Sequence, residues 1–326
     1  MISMKTLALL SGGLDSILAA RVIMEQGIEV IGVCFVTPFF GPDNARNASK
    51  TLGIRLIEHD FTEEYFAMMK SPRYGFGGNM NPCIDCHGLM LKTAHGLLEK
   101  YQASFLITGE VLGERPMSQT RGGLNAVLKL STDRDLVLRP LSAKLLEPTK
   151  PEREGWVDRE KLYDFSGRGR KRQEELAKSF GIKDYPQPAG GCLLTEERYS
   201  QRLKELIEHE GLNRRDAEFL SIGRHFRLDE NAKMIVGRNR SENQRLLDLA
   251  GSDNIVIRPA ENIKGPVGII LGEISDDILQ TVGKILARYC DRLEDQAVGI
   301  NIYRNDKKES ITVMKPQEEF VLKWQI

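Results

Sequence analysis

Apolar residues recur with two different spacings along the first part of the chain. Short continuous apolar runs at 6–10, 29–36, 54–57 and 105–108 predict strands, and stretches with helical spacing at 16–26 and 44–52 predict helices between them. Because strands and helices alternate, we expect an α/β fold in which helices cover a parallel sheet.

The pattern changes in the second half of the chain. Charged residues, proline and glycine are frequent from about residue 131 to residue 188, and a helix predicted at 196–210 stops at Gly211. Short strands at 233–236, 255–257, 267–271, 297–302 and 310–314 then surround a helix at 276–289. We therefore predict two domains, an α/β domain at 1–210 and a smaller α+β domain at 211–326.

Composition adds three constraints. The 326 residues include 46 Lys plus Arg and 46 Asp plus Glu, so any nucleic-acid binding must come from local basic patches. No window supplies the ~20 apolar residues of a membrane span and no apolar leader is present, so we expect a cytoplasmic protein without a membrane partner. Five cysteines, an odd number, are a poor disulfide framework and indicate reduced thiols.

The first predicted strand ends in the loop Ser11-Gly12-Gly13-Leu14-Asp15-Ser16, which leads into the first helix. A glycine-rich turn at a helix N-terminus presents backbone N–H groups and a favourable dipole to an anion. The two serines add hydroxyl donors, and Asp15 suits a phosphate that is bridged by Mg²⁺. The chain has neither a Walker A motif nor a G-x-G-x-x-G motif here. The alternative is a tight turn in which a serine caps the helix.

This loop resembles the PP-loop of the ATP pyrophosphatase superfamily, whose domain has a Rossmann-like adenine nucleotide alpha hydrolase fold. The resemblance implies that Ser11, Gly12, Gly13, Asp15 and Ser16 hold the β- and γ-phosphates of ATP with Mg²⁺. It also implies that backbone groups at Cys34 and Phe35 bind adenine. Thr108-Gly109-Glu110 would line the α-phosphate and the acceptor pocket, although alone this triplet is also an ordinary strand end.

The cysteines form a second candidate site. Cys83 and Cys86 form a C-x-x-C motif, followed by His87 and a helix, and Cys192 lies in a distant loop rich in proline and glycine. Such thiols suit a redox pair, a cluster, or a zinc site with His87 as fourth ligand. Three cysteines without a fourth favour a cluster, because closed zinc sites take four protein ligands. Cys34 and Cys290 lie in apolar patterns and are predicted to be buried packing residues.

The PP-loop, the C-x-x-C motif and the third cysteine together resemble tRNA thiouridine synthases of the type that uses a 4Fe-4S cluster. The resemblance implies that Cys83, Cys86 and Cys192 ligate the cluster. Such an enzyme adenylates a uridine oxygen in tRNA and replaces it with sulfur, which sulfide or a sulfur-carrier protein supplies. One alternative is a persulfide relay without a cluster. Another, from a different class, is a non-catalytic RNA-binding protein with a degenerate nucleotide pocket.

Two segments of the first predicted domain are candidates for RNA contact. Arg115, Ser118 and Gln119 follow the Thr108-Gly109-Glu110 triplet and would reach the adenylate or the nucleotide. The second segment is basic and glycine-flanked, which suits contact with phosphate oxygens; its candidate residues are Arg168, Arg170, Lys171 and Arg172. Both segments are also compatible with solvent-exposed loops.

The second predicted domain contains a Gly-Arg-Asn motif at residues 237–239, which on its own predicts a turn. With the segments 253–255 and 264–267 it resembles the RNA-binding domain of NFACT proteins over residues 223–274. The resemblance implies backbone contacts from Arg238, Asn239, Arg240, Asn243 and Lys264. The expected aromatic strand is aliphatic here, reading Ile255-Val256-Ile257. The sequence leaves the modified uridine and the oligomeric state open, a homodimer included.

Overall fold

The structure is a computed structural model that describes residues 4–186, 192–292, 295–304 and 307–326. The chain divides into two compact units, Met1–Thr195 and Glu196–Ile326. The domain boundary predicted at residue 210 lies at the other end of the first helix of the second unit, Glu197–His209.

A parallel sheet of five strands forms the centre of the first unit. Its order is β3-β2-β1-β4-β5, and every neighbouring pair is parallel. The central strand β1 is apolar and buried at Leu7 and Ala8, as expected for a strand covered on both faces. This confirms the predicted sheet. The strands are β1 (Lys5–Leu9), β2 (Glu29–Val36), β3 (Leu56–Asp60), β4 (Phe105–Ile107) and β5 (Val137–Leu138).

Seven α-helices surround this sheet in the described part of the unit. They are α1 (Leu14–Met24), α2 (Asp43–Leu52), α3 (Thr62–Lys70), α4 (Cys83–Tyr101), α5 (Arg121–Leu130), α6 (Lys150–Arg153) and α7 (Lys171–Ser179). The first two were predicted to within two residues at each end. Glycines at 122 and 123 obscured α5 in the sequence, but Thr120 caps it by accepting a 2.9 Å hydrogen bond from the Gly123 backbone.

The second unit is an antiparallel sheet with helices, which confirms the predicted α+β class. Its strand order is β11-β10-β8-β9-β7-β6. The strands are β6 (Arg224–Arg227), β7 (Lys233–Val236), β8 (Ile255–Pro259), β9 (Gly268–Leu271), β10 (Ala297–Arg304) and β11 (Lys307–Met314). The helices are α8 (Glu197–His209), α9 (Arg214–Phe219), α10 (Arg240–Leu249), α11 (Leu279–Arg288) and α12 (Glu318–Leu322).

Within the described ranges, no helix combines the length and the apolar character needed to cross a membrane.

Candidate functional site

The glycine-rich loop connects β1 to α1 as the sequence predicts. Gly13 is the N-terminal cap of α1 and brings no side chain to it. The Gly13 backbone N–H donates to Ser11 Oγ at 3.3 Å, and Ser16 Oγ donates to the Gly13 carbonyl at 2.8 Å. The serines thus shape the loop, while the helix N-terminus and its dipole remain suited to an anionic ligand.

Two glycines are required by close backbone contacts around this loop. Gly12 has φ +81°, and a Cβ there would lie 2.2 Å from the carbonyl carbon of Asn44 in α2. A Cβ on Gly109, just after β4, would lie 2.5 Å from the backbone nitrogen of Ser16. The end of β4 is therefore packed directly against the loop, as the PP-loop interpretation expects of Gly109.

Asp15 faces a group of polar side chains from two later segments. The Arg170 guanidinium lies 3.7 Å from Asp15 Oδ2. Burial raises the pKa of Asp15, although Arg170 and then Arg115 counteract the rise. Burial and the neighbouring Asp15 carboxyl raise the pKa of Glu114 to about 7. Sequence reasoning missed Glu114 and Gln173 as members of this group, because only the fold brings them to Asp15.

The residues assigned to adenine lie near the end of β2 with buried side chains. Phe35 packs against Phe61, with ring centroids 4.7 Å apart, and edge-on against His59. Burial and then Glu58 raise the pKa of the Cys34 thiol to about 11, which suits a packing residue. Adenine binding through their backbone groups stays a prediction.

Glu110 lies at the centre of a buried network at the end of β4. Its carboxylate accepts hydrogen bonds from Arg139 Nε at 2.8 Å and Thr108 Oγ1 at 3.1 Å, and it contacts His87 Nδ1 at 2.9 Å. Burial opposes ionisation, but Arg139 and His87 outweigh it and lower the pKa of Glu110 to about 2. Because His87 follows Cys86 in α4, this network links the end of β4 to the cysteine motif.

The three candidate cysteines converge in the first unit. Cys83 and Cys86 lie in the first turn of α4. Burial raises the pKa of the Cys86 thiol above its ordinary range, and the neighbouring Cys192 and Cys83 raise it further, whereas contact with the Tyr65 hydroxyl lowers it. The effects of Cys192 and Cys83 on Cys86 indicate that both of these thiols lie near Cys86.

Polar residues hold the loops that carry these thiols. Asn81 Nδ2 contacts Cys83 Sγ at 3.4 Å. The Asp85 carboxylate is buried and accepts from two backbone N–H groups in the loop before α4. Asn79 Nδ2 donates to the Thr195 carbonyl at 2.7 Å, which ties the segment after Cys192 to the loop before Cys83. The positions 187–191, part of the predicted third-cysteine loop, lie outside the described residues.

The thiols are not arranged around a single metal ion. Across the described ranges, no three His, Cys, Asp or Glu side chains approach as closely as ligands of one ion do. His87 contacts Glu110 through Nδ1, and because zinc-binding histidines commonly contact a carboxylate through their second ring nitrogen, this contact does not count against zinc. A cubane separates its ligands more widely than one ion does, and a set of two thiols at the N-terminus of α4 and one from a loop, with the Asn81 amide beside Cys83, fits it.

Cys34 and Cys290 are both buried, at 5% and 3% exposure, which confirms that they are packing residues.

The residues predicted to contact RNA in the first unit differ in exposure. Arg115 is exposed, whereas Ser118 is buried at 3% exposure and is not part of the surface. Gln119 is half-buried, and its Oε1 atom has no hydrogen-bond partner among the described residues.

The predicted basic segment does not act as one surface. Arg168 and Lys171 are exposed. Arg172 is also exposed, but it pairs with Asp164 at 2.5 Å and stacks on the Phe165 ring. Arg170 instead faces inward to Asp15.

The candidate RNA residues of the second unit lie around the start of α10. The Asn239 side chain caps this helix by accepting from the Glu242 backbone at 3.0 Å. Arg238 pairs with the Glu242 carboxylate at 2.6 Å, while Arg240 and Lys264 are exposed. Asn243 Oδ1 accepts from the Val267 backbone N–H at 3.1 Å and joins α10 to the residue before β9. The Gly-Arg-Asn motif is therefore the cap of a helix that the sequence reading missed.

A parallel sheet of this order, with a Ser-Gly-Gly-x-Asp-Ser loop after its central strand, defines an α/β domain of the PP-loop class. Residues 1–145 match the family model for the thiamine biosynthesis protein (ThiI). Residues 223–325 match the model for the NFACT protein RNA binding domain. The two matches confirm the resemblance of residues 1–145 to a ThiI-type domain and of residues 223–325 to an NFACT-type domain, while the 4Fe-4S-dependent type of synthase stays a prediction.

Relatives with established names match parts of the chain. A probable tRNA sulfurtransferase of Methanosarcina mazei is 32% identical over 136 residues, 37% of this chain and 31% of the relative. A tRNA sulfurtransferase of Blochmanniella pennsylvanica is 27% identical over 223 residues, 64% of this chain and 38% of the relative. A solved 4-thiouridine synthetase in complex with RNA and ATP is 21% identical, with a TM-score of 0.36 over 55% of this chain and 52% of that one. The chain spans about a third of the length of these curated relatives.

Proposed function

We propose that the protein is an ATP-dependent tRNA sulfurtransferase. It adenylates a uridine carbonyl oxygen in tRNA, releases pyrophosphate, and then replaces the activated oxygen with sulfur as AMP leaves. The adenylation is needed because a carbonyl oxygen is a poor leaving group and AMP is a good one. The sulfur donor, sulfide or a carrier protein, and a cytoplasmic location remain predictions of the sequence.

One observation carries this proposal. The phosphate loop and the cysteine motif are connected through the end of β4: Gly109 packs on the loop, and Glu110 in the next position contacts His87 beside Cys86. Activation and sulfur delivery act on the same carbon atom, so an enzyme of this kind needs both groups at one place. A degenerate nucleotide pocket in a non-catalytic RNA-binding protein would not need the link to the thiols.

Each group then has a definite task. Ser11, Ser16 and the N-terminus of α1 bind the β- and γ-phosphates, and Asp15 holds the Mg²⁺ that accompanies them. Cys83, Cys86 and Cys192 would hold a 4Fe-4S cluster, which supplies the sulfur atom when bound. Exposed basic residues of both units, Arg168 and Arg240 among them, bind the tRNA backbone.

The cluster and the persulfide relay differ in what the thiols must do. A relay needs one thiol to carry sulfur and a second to resolve it as a disulfide, so iron is dispensable. A cluster needs all three thiols and iron. The nearness of both Cys83 and Cys192 to Cys86 supports the cluster, because a relay needs only two thiols.

The test is a thiolation assay on Cys→Ala variants at all five cysteines, run anaerobically beside iron and sulfide analysis. Cys83, Cys86 and Cys192 variants should lose iron and thiolation but keep tRNA-dependent pyrophosphate release. Cys34 and Cys290 variants, as buried controls, should keep all three properties. Full thiolation by iron-free protein would remove the cluster, and absence of tRNA-dependent pyrophosphate release in the wild type would refute the proposed function itself.

A further inference from the structure

Helix α7, which lies outside the segment that matches the ThiI-type model, is held close to the phosphate loop. The Gly167 backbone N–H donates to the Leu112 carbonyl at 2.7 Å, so the segment before α7 pairs with the segment after β4. Ala177 of α7 is buried in the same core as α1, and the Arg21 guanidinium of α1 stacks over the Phe180 ring at 5.7 Å. These contacts direct the first turn of α7 towards Asp15.

Buried polar atoms around Asp15 have unmet hydrogen-bonding capacity. Within the described residues, Arg170 Nε and Gln173 Nε2 are donors without a partner, and Asp15 Oδ1 and Glu114 Oε2 are acceptors without one. Gln173 is only 1% exposed, and its amide faces Asp15. Such groups are rare in folded proteins because each unpaired buried group destabilises the fold.

The unmet groups fall into two classes that specify one ligand. Carboxylate oxygens without donors suit a divalent cation, whereas guanidinium and amide donors suit the oxygens of an anion. A pyrophosphate group with Mg²⁺ satisfies both classes at once. The adenosine part of a nucleotide has no charge that could do so.

We propose that Arg170 and Gln173 bind the pyrophosphate end of ATP beside Asp15, and that they retain pyrophosphate after AMP separates from it. This inference rests on the proposed function and deepens it, since it adds α7 to the nucleotide site. It also separates Arg170 from the neighbouring basic residues, which the sequence grouped together as RNA ligands. Arg168 and Lys171 face solvent and keep that role, whereas Arg170 faces the phosphate loop.

The experiment measures binding of inorganic pyrophosphate with Mg²⁺, of AMP, and of tRNA to the full chain by titration calorimetry or filter binding. Arg170→Ala should weaken pyrophosphate binding about tenfold or more, and Gln173→Leu about fivefold. AMP and tRNA affinities should stay within about twofold. Arg170→Lys keeps the charge and provides a second variant whose pyrophosphate affinity should lie between those of Arg170→Ala and the wild type.

The matched control is Lys178→Ala, which removes an exposed cation from the last turn of the same helix and should change none of the three affinities. Weaker tRNA binding with unchanged pyrophosphate binding in Arg170→Ala would return this residue to the RNA surface and overturn the inference. Equal losses of AMP and pyrophosphate affinity would also overturn it, because they indicate general damage to the site. If the wild-type chain binds neither ATP nor pyrophosphate, the proposed function fails instead.

Discussion

Replacing Glu110 with glutamine tests whether the buried network at the end of β4 depends on the ion pair between Glu110 and Arg139. Glu110 and Arg139 have side-chain exposures of only 6% and 3%. Arg139 pairs with Glu110 through Nε, while its buried Nη2 atom has no hydrogen-bond partner among the described residues. Glu110→Gln keeps the shape of the side chain but leaves the Arg139 charge uncompensated. Breaking a buried pair in this way is strongly destabilising, since the remaining charge is expensive to bury.

The magnitude follows from the pKa of Glu110, which the network lowers from 4.5 to about 2. A depressed carboxyl pKa stabilises the fold above the ordinary pKa, and that stabilisation is lost as the pH falls towards the folded value. The full effect at pH 7 is about 3 kcal/mol, and roughly 2 kcal/mol of it is lost between pH 7 and pH 3. The stability difference between wild type and Glu110→Gln should therefore shrink by about 2 kcal/mol over that range.

The assay is urea unfolding followed by the fluorescence of Trp156, which lies in the first unit and packs beside Phe105 at 6.3 Å. A Trp324→Phe background leaves Trp156 as the one remaining tryptophan of the two in the chain. Glu147→Gln, at an exposed position of the same unit, is the matched control and should change stability by less than about 0.5 kcal/mol. A difference between wild type and Glu110→Gln that stays constant from pH 7 to pH 3 would show that the carboxylate charge is not what stabilises this network.

Three further changes probe the site and its supports. Gly109→Ala would force a Cβ to within 2.5 Å of the Ser16 backbone, so ATP affinity should fall at least about tenfold in a binding titration. The control is Gly96→Ala, where the added Cβ meets open space and the ATP affinity should stay unchanged. Thr120→Ala removes the α5 cap and should cost about 1 kcal/mol in denaturant unfolding, and an unchanged midpoint would refute the capping role. Cys290→Ala should lower the unfolding free energy of the second unit by about 1 to 2 kcal/mol while tRNA thiolation continues.

The fold was most predictable where local pattern and burial coincide. The strands β2 and β7 begin and end where the apolar runs do, because both are buried along most of their length. Short or capped elements escaped prediction. The strand β5 has two residues, and α10 begins at a Gly-Arg-Asn motif whose local reading is a turn. Its cap becomes visible only when the Asn239 side chain is seen to accept from the Glu242 backbone.

The site shows the same division between local and distant information. The loop from Ser11 to Ser16 was predictable, since its motif specifies a turn between a strand and a helix, and the grouping of the three candidate cysteines was expected from the family resemblance rather than from local pattern. The approach of Glu114 and Arg170 to Asp15 was not, because it depends on the packing of segments far apart in sequence. A run of four basic residues reads as one surface, yet the turn into α7 directs one of them inward. Neither the hydrophobic periodicity nor the number of charges in a segment predicts which of its side chains faces inward.

The place of β1 in the middle of its sheet has a consequence for folding kinetics. Thr6 Oγ1 donates to the Phe105 carbonyl at 2.8 Å, and these residues are 99 positions apart. The chain must close that long loop before Gly109, just after β4, can pack against the phosphate loop. Such closure is slow because the chain loses conformational entropy before the stabilising contacts form. The nucleotide-binding surface is therefore incomplete until that loop has closed. We expect ATP to leave the refolding rate of the first unit nearly unchanged and to slow its unfolding by a factor of one plus the ratio of free ATP concentration to Kd.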